Sequence, residues 1–520
     1  EHTSVNPVHP IHIGQARNTA IGDAVARMLK ARGHEVDRRY YVDDMGRQTA
    51  IAAYGYKKLG EPEIREKPDH FFGKIYSVTS CLLEIQKIKR AMGEIREEAS
   101  KSEEYIELNR RLDEWVSIAA ELKEKYPELF DKLSGALIAE GSSEEEVAKL
   151  IKGYELGEPD AKRLVRKVSE LCLEGFKETL AKMEVEFDGW DWESDLVWGG
   201  EVEAVVKEIS RSPYAFKSGG ALELDVEKAV EELSLRDLLG VSPGYRLPSL
   251  TLARSDGTTL YITRDVAYTV KKFESADEVV NVIGAEQTLA QLQLKVALFC
   301  LGKGGLASKL KHLAFGLVEL PGFKMSSRRG RLVTLDEVIK EAVRRARQEV
   351  SRRSPELPEE EKMEIAKKIG IGSIKYALLS VEPIKSVTFT WDRVLSFERN
   401  SAPFINYAYT RAGGILRKAG GLPRDVDGSL LTHPLEKELL LKVIKFPEVF
   451  KNSSDGLRPD DLANFANSLA EKFHEYYEKV DVIHVREEKL RGARLFLINA
   501  VRVVLKNSME LLGIKLAERM

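Results

Sequence analysis

The sequence predicts an α/β protein: a parallel-sheet domain interrupted by a helical insertion, followed by an all-α bundle. Three observations carry this. The first 42 residues read as a short extended segment, a turn rich in Pro, His and Gly, an amphipathic helix and a strand. Residues 76–182 change to long, charged, helix-forming runs with few prolines. Beyond Thr334 nearly every apolar residue recurs at helical spacing.

Taken in order, EHTSVN (residues 1–6) reads as a short strand running into a turn. The chain opens abruptly there, and an N-terminal portion preceding it is expected. Ala16, Ala20, Ile21, Ala24, Val25, Met28 and Leu29 then repeat as one helix face, and Gly33 supplies the stop. Val36, Tyr40 and Val42 alternate as a strand. This βαβ opening defines a Rossmann-like nucleotide-binding domain. After the insertion, residues 250–254 and 258–263 flank Ser255-Asp256-Gly257, a hairpin turn. Residues 279–283 form a β-branched run suited to a strand buried on both faces, and 312–320 another strand. The expected division is a catalytic domain over 1–335, a helical connection over 336–401 and a bundle over 402–520. Leu462, Phe465, Ala466, Leu469, Phe473 and Tyr476 mark one bundle face; Leu495, Ile498, Val501, Leu505, Met509 and Leu512 mark another.

Composition narrows the function. Across 520 residues, 80 basic against 83 acidic groups leave a net charge of −3, which excludes a wholly basic nucleic-acid coat but not a local basic surface. No apolar run is long enough to span a membrane. Cys81, Cys172 and Cys300 are too scattered for a disulfide framework or a zinc site, so no metal is expected and the location is read as cytoplasmic.

Two segments carry chemistry. His12-Ile13-Gly14-Gln15 opens the first helix, whose free N–H groups and partial positive charge suit a phosphate. Gly14 admits close backbone approach, and His12 donates. Some 310 residues on, Lys324, Met325, Ser326, Ser327, Arg328 and Arg329 fill one loop ahead of Gly330. A lysine, two hydroxyls and two arginines there form an anion clamp for charge that develops during phosphoryl or adenylyl transfer.

With those motifs in place, the chain resembles the class I aminoacyl-tRNA synthetases, HIGQ standing for their HIGH signature and KMSS for KMSKS. More closely it resembles arginyl-tRNA synthetases of the archaeal and bacterial type. The matching stretches are NPVHPIHIGQARNTAIGDAVARMLKARGHEV, YYVDDMGRQ, LYITRDVAY, VIGAEQ, FKMSSRRGRLVTLDE, FINYAYTRAGGIL and the closing ARLFLINAVRVVLKNSMELLGI with ERM. The resemblance implies attachment of arginine to tRNA(Arg) through an arginyl-adenylate, with ATP and Mg²⁺ as substrate complex and no tightly bound cofactor. It also implies activation that needs tRNA present, a monomer, and a further N-terminal domain ahead of this chain. By the same resemblance His9, His12, Gly14, Gln15 and Lys324 bind ATP. Glu1, Ser4, Asn6, Tyr261, Asp265 and Gln287 hold arginine, with Asp265 on the guanidinium. Tyr407, Arg411, Tyr476, Tyr477 and Met520 meet the tRNA. Two departures stand out: Gln15 replaces a histidine and cannot carry charge, and Ser327 replaces a second lysine.

The residues support part of this independently. A planar guanidinium with five donors is best met by a carboxylate. Phe404, Tyr407 and Tyr409 interleave with Arg411 as in sites that hold unstacked bases. Asp43, Asp44 and Gln48 are either pocket-lining or structural. Two other readings stay open at this level: a class I synthetase for another amino acid, and an RNA-binding relative without chemistry.

Overall fold

The computed structural model describes residues 1–95, 103–138, 143–322, 333–423 and 426–519. Helix α1 (Ile13–Ala31) leads to β1 (Arg39–Val42) and α2 (Arg47–Lys58). The insertion follows as α3 (Pro68–Glu94), α4 (Glu103–Lys125), α5 (Pro127–Ile138), α6 (Ser143–Glu155) and α7 (Pro159–Lys182). Its first helix starts at Pro68, eight residues ahead of the change in sequence texture, because proline is well suited to the first helical turn. Next come β2 (Gly189–Trp192), α8 (Glu193–Trp198), α9 (Glu201–Ile209), β3 (Ala215–Ser218), β4 (Ala221–Leu224), α10 (Val226–Glu232), β5 (Leu250–Ala253) and α11 (Tyr261–Lys272). The domain closes with β6 (Val279–Gly284), α12 (Thr288–Cys300), α13 (Gly304–Lys309), β7 (Leu310–Phe315) and β8 (Val318–Glu319).

Strands β1 and β2 pair in parallel, as do β6 and β7. The first two residues join these halves. Glu1 N donates to Val280 O at 2.9 Å, Val282 N donates to Glu1 O at 3.0 Å, and His2 N reaches Arg39 O at 3.4 Å. The expected strand at residues 1–6 is therefore only two residues long. At Thr3 and Ser4 the backbone turns to φ of 73° and 35°, which ends the ladder. Such angles are costly at a β-branched residue. Asn18 of α1 holds Thr3 there, accepting from its N–H at 2.9 Å, while the Thr3 hydroxyl meets Thr19 at 3.2 Å.

The remaining strand expectations need two adjustments. The run 312–320 is split into β7 and β8 at Gly316, where an added Cβ would lie 2.7 Å from Ile384 O. The hairpin around 255–257 forms, with Arg254 N donating to Thr258 O at 2.8 Å, but its second arm is brief and the helix begins already at Tyr261.

All later elements except the two-residue β9 (Val387–Thr388) are helical: α14 (Leu335–Arg353), α15 (Glu359–Leu379), α16 (Trp391–Val394), α17 (Ala402–Lys418), α18 (Pro434–Asp455), α19 (Pro459–Lys479) and α20 (Glu488–Leu511). Helix α1 is locked to them by buried charge. Lys375 of α15 lies 3.4 Å from Asp23 of α1 and donates to Gly513 O, just past α20, at 2.8 Å. Gly513 sits at φ 68°, and a Cβ there would stand 2.5 Å from Asp23, so only glycine admits the contact. One buried core runs from α1 through α3 and α7 to α19 and α20, and a second forms around α9, α11 and α12.

Arg17, fully buried on α1, donates to the carbonyls of Gly316, Lys385, Glu382 and Val381. Burial pushes its guanidinium down to about 10. Its planar fork spans carbonyls on two separate segments, which a single ammonium cannot do. Arg17→Met should lower the unfolding free energy by about 3 kcal/mol, with Arg17→Lys giving little rescue. Urea denaturation measures this, and an unchanged midpoint would contradict it.

Candidate active site

The turn into α1 is tightly organised. His12 is the N-cap: its Nδ1 accepts from Gly14 N at 3.1 Å, while Gln15 Oε1 accepts from His12 N at 3.0 Å. This reciprocal capping box explains the glutamine, whose carbonyl closes the helix end. With Nδ1 accepting, the His12 proton must sit on Nε2. Burial, and secondarily His9, push His12 down to about 4, so the ring is neutral and donates through Nε2 at physiological pH. His9 is also held below its ordinary value by burial, and its Nδ1 lies 3.0 Å from Pro10 O. The two rings lie 6.0 Å apart, nearly parallel. The opposite side of the motif is stitched to the segment entering α14: Ile13 N donates to Val333 O at 3.2 Å and Leu335 N to Ile11 O at 2.8 Å. Lys324, Met325, Ser326 and Ser327, with Arg328 and Arg329, lie outside the described residues.

A second set of groups converges on α11. Tyr261, Arg264, Asp265, Tyr268 and Lys272 fall at helical spacing on one face, while Ile262, Val266 and Ala267 are buried among apolar neighbours. Lys272 pairs with Glu1 at 2.6 Å and with Asn281 at 2.8 Å. Although burial opposes its charge, Lys272 holds the Glu1 carboxyl below its ordinary value. Ser4 donates to Glu1 at 3.3 Å and accepts from Tyr41 N at 3.2 Å. Arg264 pairs with the buried Glu193 at 3.0 Å. Glu193 in turn shares a hydrogen bond with Asp43; burial raises both carboxyls, Glu193 to about 8. Tyr41 and Tyr268 stack at 4.3 Å and floor the space between.

Asp265 stands apart in this set. It makes no hydrogen bond or ion pair with a described residue, and burial, then Glu1 and Glu193, push its carboxyl up to about 8. Lys272 is matched by Glu1, and Arg264 by the proton-sharing Asp43 and Glu193. A cavity of about 360 Å³ is lined by Asp43, Tyr261 and Arg264, while Asp265 is not part of its wall.

The other expected positions are dispersed. Asn6 is partly buried near Gly46, its amide 4.0 Å from where a Cβ on that glycine would stand. Gln287 is exposed on the turn after β6 and bonds to no pocket residue among those described. Asp44 is structural: its carboxylate accepts from Ser194 N at 3.0 Å, from the Ser194 hydroxyl at 2.6 Å and from Tyr154. Asp43 and Asp44 both line the cavity. Lys272, Arg264, Glu193 and Tyr268 were not singled out from the sequence, although the polar stripe on α11 marks three of them. Among the described residues, Asp69, His70 and Asp336 have the spacing of a metal site, but Lys67 bonds both carboxylates, at 2.7 and 2.8 Å, and supplies the cation itself.

In the bundle, Arg411 donates to the Tyr407 hydroxyl at 2.6 Å and lies over the rings of Tyr407 and Tyr477, 4.1 and 4.6 Å from their centres. Tyr477 is 41% exposed. Tyr476 departs from expectation: it is fully buried, because its side of α19 is the core face, and it offers no ring to a partner. Met520 lies outside the described residues.

Two parallel strand pairs, a capped His-x-Gly helix start, carboxyls gathered around α11 and a C-terminal helical bundle are the layout of a class I aminoacyl-tRNA synthetase. The family model described as the class I (R) tRNA synthetase catalytic domain matches residues 1–141 and 100–391, and the DALR anticodon binding domain matches 405–520. The arginine–tRNA ligase of Sulfolobus acidocaldarius is 41% identical over 525 residues, spanning all of this chain and 82% of that protein. That of Ignicoccus hospitalis is 43% identical over 524 residues, covering 80% of its length. The solved Thermus thermophilus arginyl-tRNA synthetase aligns with the whole chain and 82% of its own, at a TM-score of 0.76 and 28% identity. A methionyl-tRNA synthetase from Mycobacterium tuberculosis shares the fold, at a TM-score of 0.56 and 11% identity. The chain belongs to the class I arginyl-tRNA synthetases.

The charge count yields a test. Burial raises the Asp265 carboxyl to about 8, so if Asp265 is the guanidinium's partner, arginine binding must release that proton below this pH. Arginine affinity should therefore rise more than about tenfold between pH 6 and pH 8, with proton release on binding. Asp265→Asn should abolish this dependence and weaken arginine binding by hundreds-fold, since breaking a buried pair costs about 3–5 kcal/mol. ATP affinity should change little, and discrimination against the neutral isostere citrulline should narrow. Calorimetry in buffers of different ionisation enthalpy measures all three. A pH-independent wild-type affinity would remove Asp265 from the pocket's charge balance.

Proposed function

We propose that this chain joins arginine to tRNA(Arg) at the expense of ATP, through an arginyl-adenylate. The observation that carries the reading is Asp265, a half-buried carboxyl that makes no ion pair with a described residue and lies close enough to Glu1 for that carboxylate to raise it further. In this reading the guanidinium completes the pocket against Asp265, with Tyr261 at the cavity wall. Ser4 and Asn6 orient the amino and carboxylate end, and Gln287 joins them when substrate draws the β6 turn inward. MgATP enters as substrate. His12 donates its Nε2 proton to phosphate oxygens, while the N–H groups of Ile13, Gly14 and Gln15 are already engaged, by Val333 O, His12 Nδ1 and His12 O. His9, with Nδ1 directed at Pro10 O, presents Nε2 as an acceptor, which suits a ribose hydroxyl better than a phosphate. Lys324 meets the negative charge that grows as the arginine carboxylate attacks the α-phosphate and pyrophosphate leaves. The Arg411–Tyr407–Tyr477 surface offers stacked rings and a cation to unpaired bases of the anticodon loop. We further propose that activation requires bound tRNA, that the chain acts as a monomer, and that catalytic, connecting and anticodon-facing parts divide near residues 335 and 402.

Arginine-dependent ATP–pyrophosphate exchange, run with and without tRNA(Arg), tests the reading. Exchange confined to the tRNA-containing reaction supports it; exchange driven by a different amino acid, or none at all, removes it. Lys324→Ala should cut turnover about a hundredfold or more while arginine binding holds, because the cation acts on charge present only in the transition state. A rise confined to the Michaelis constant for arginine would reassign the lysine.

A further inference from the structure

We propose that Asp336 is a positioning residue for ATP: it pins together two jaws that hold the His9–His12 segment between them. The proposal rests on the ATP role given above to His12. One jaw is the backbone of residues 333–335, paired with Ile11 and Ile13 and bridged antiparallel from Thr334 to His12. The other jaw is α3. An added Cβ at Gly73 would lie 2.8 Å from Pro10 Cδ and 3.4 Å from His9 Cβ, so this helix rests directly on the motif. Nothing in the backbone pairing alone sets the distance between the jaws.

Asp336, second residue of α14, supplies that connection. Its Oδ2 accepts from Lys67 at 2.8 Å and from the Thr179 hydroxyl at 2.9 Å, and lies 3.1 Å from His70 Nε2. Its Oδ1 accepts from Lys182 at 2.6 Å. Lys67 also bonds Asp69 and Thr179, at 2.7 and 2.6 Å. One carboxylate thus ties the start of α14 to α3 and α7. His70 and Gly73, three residues apart, share a face of α3, so the surface that grips Asp336 also carries His9 and Pro10. Burial opposes the charge, yet the donors hold the Asp336 carboxyl far below the usual carboxylate range. Charge-assisted bonds of this kind are short and directional, which suits a spacer more than a general glue. Displacement of about 1 Å at a reacting group is costly in rate.

The test uses the full chain with Asp336→Asn, which keeps shape and one acceptor but removes the charge. Binding of α,β-methylene ATP with Mg²⁺, and of arginine, is measured by calorimetry alongside pyrophosphate exchange. The expected result is roughly tenfold weaker nucleotide binding and slower exchange, with arginine affinity within twofold of wild type and partial recovery in Asp336→Glu. In a cycle with Lys67→Met the two losses should be strongly non-additive for nucleotide binding. Thr179→Val, which removes a single donor, should show the same split at lower amplitude if Asp336→Asn folds poorly. Equal loss for both ligands, or a lowered melting temperature with nucleotide affinity intact, would reduce the network to a structural brace and overturn the proposal. Failure of the wild-type chain to bind the nucleotide would overturn the ATP reading and this proposal with it.

Discussion

The hydrogen bonding of residues 1–15 constrains everything else in the catalytic half. Glu1 and His2 form backbone hydrogen bonds to β6 and to β1, so this segment bridges the two separate parallel pairs. The same stretch then supplies Glu1 to the carboxyl ring on α11 and His12 to the start of α1. Because a strand advances about 3.3 Å per residue and the turn at Thr3 and Ser4 is fixed by Asn18, the spacing between Glu1 and the start of α1, the two ends of the proposed site, is set by covalent geometry. A reaction that joins a carboxylate to an α-phosphate needs that spacing.

Local chemistry explains why parts of this were legible in the sequence. The periodic apolar residues of α1 and the β-branched run of β6 are buried where their patterns place them, since each pattern has one way to hide its apolar face. Asp265 was visible as a carboxylate suited to a guanidinium. The groups around it were not. Lys272, Arg264 and Glu193 are ordinary charged residues until the fold brings Glu1 and Asp43 from distant positions beside them. The stripe 261/264/265/268/272 was a usable sign, because polar and aromatic residues at helical spacing opposite an apolar face must line something. The start of α11 at Tyr261 was obscured because the Thr263 hydroxyl bonds Leu252 O at 2.7 Å, tying the helix to β5 where the sequence continues to look strand-like.

Adjacent positions in the bundle show the opposite limit. Tyr476 and Tyr477 are neighbours with the same side chain, yet one is fully buried and the other 41% exposed. On a helix of 3.6 residues per turn, one step rotates the side chain by about 100°, so composition cannot assign the role and phase can. The apolar residues Leu462, Phe465, Ala466, Leu469 and Phe473 place Tyr476 in register with the core. Gln15 illustrates the same point in chemistry. Judged against a histidine it looks like a deficit in charge, but as the third residue of α1 it is the natural partner of a capping box.

The buried contact among Asp23, Lys375 and Gly513 has a practical bearing on how the molecule can be taken apart. A fragment that stopped before the final helix would leave an ammonium and a carboxylate facing solvent-poor space without the carbonyl that completes them. Gene truncations meant to isolate the nucleotide half would then fail for a reason remote from the cut. Swapping Lys375 and Asp23 together for apolar residues of similar volume would be the way to make such a fragment a usable reagent, and chimeras between relatives would need to inherit all three positions from one parent.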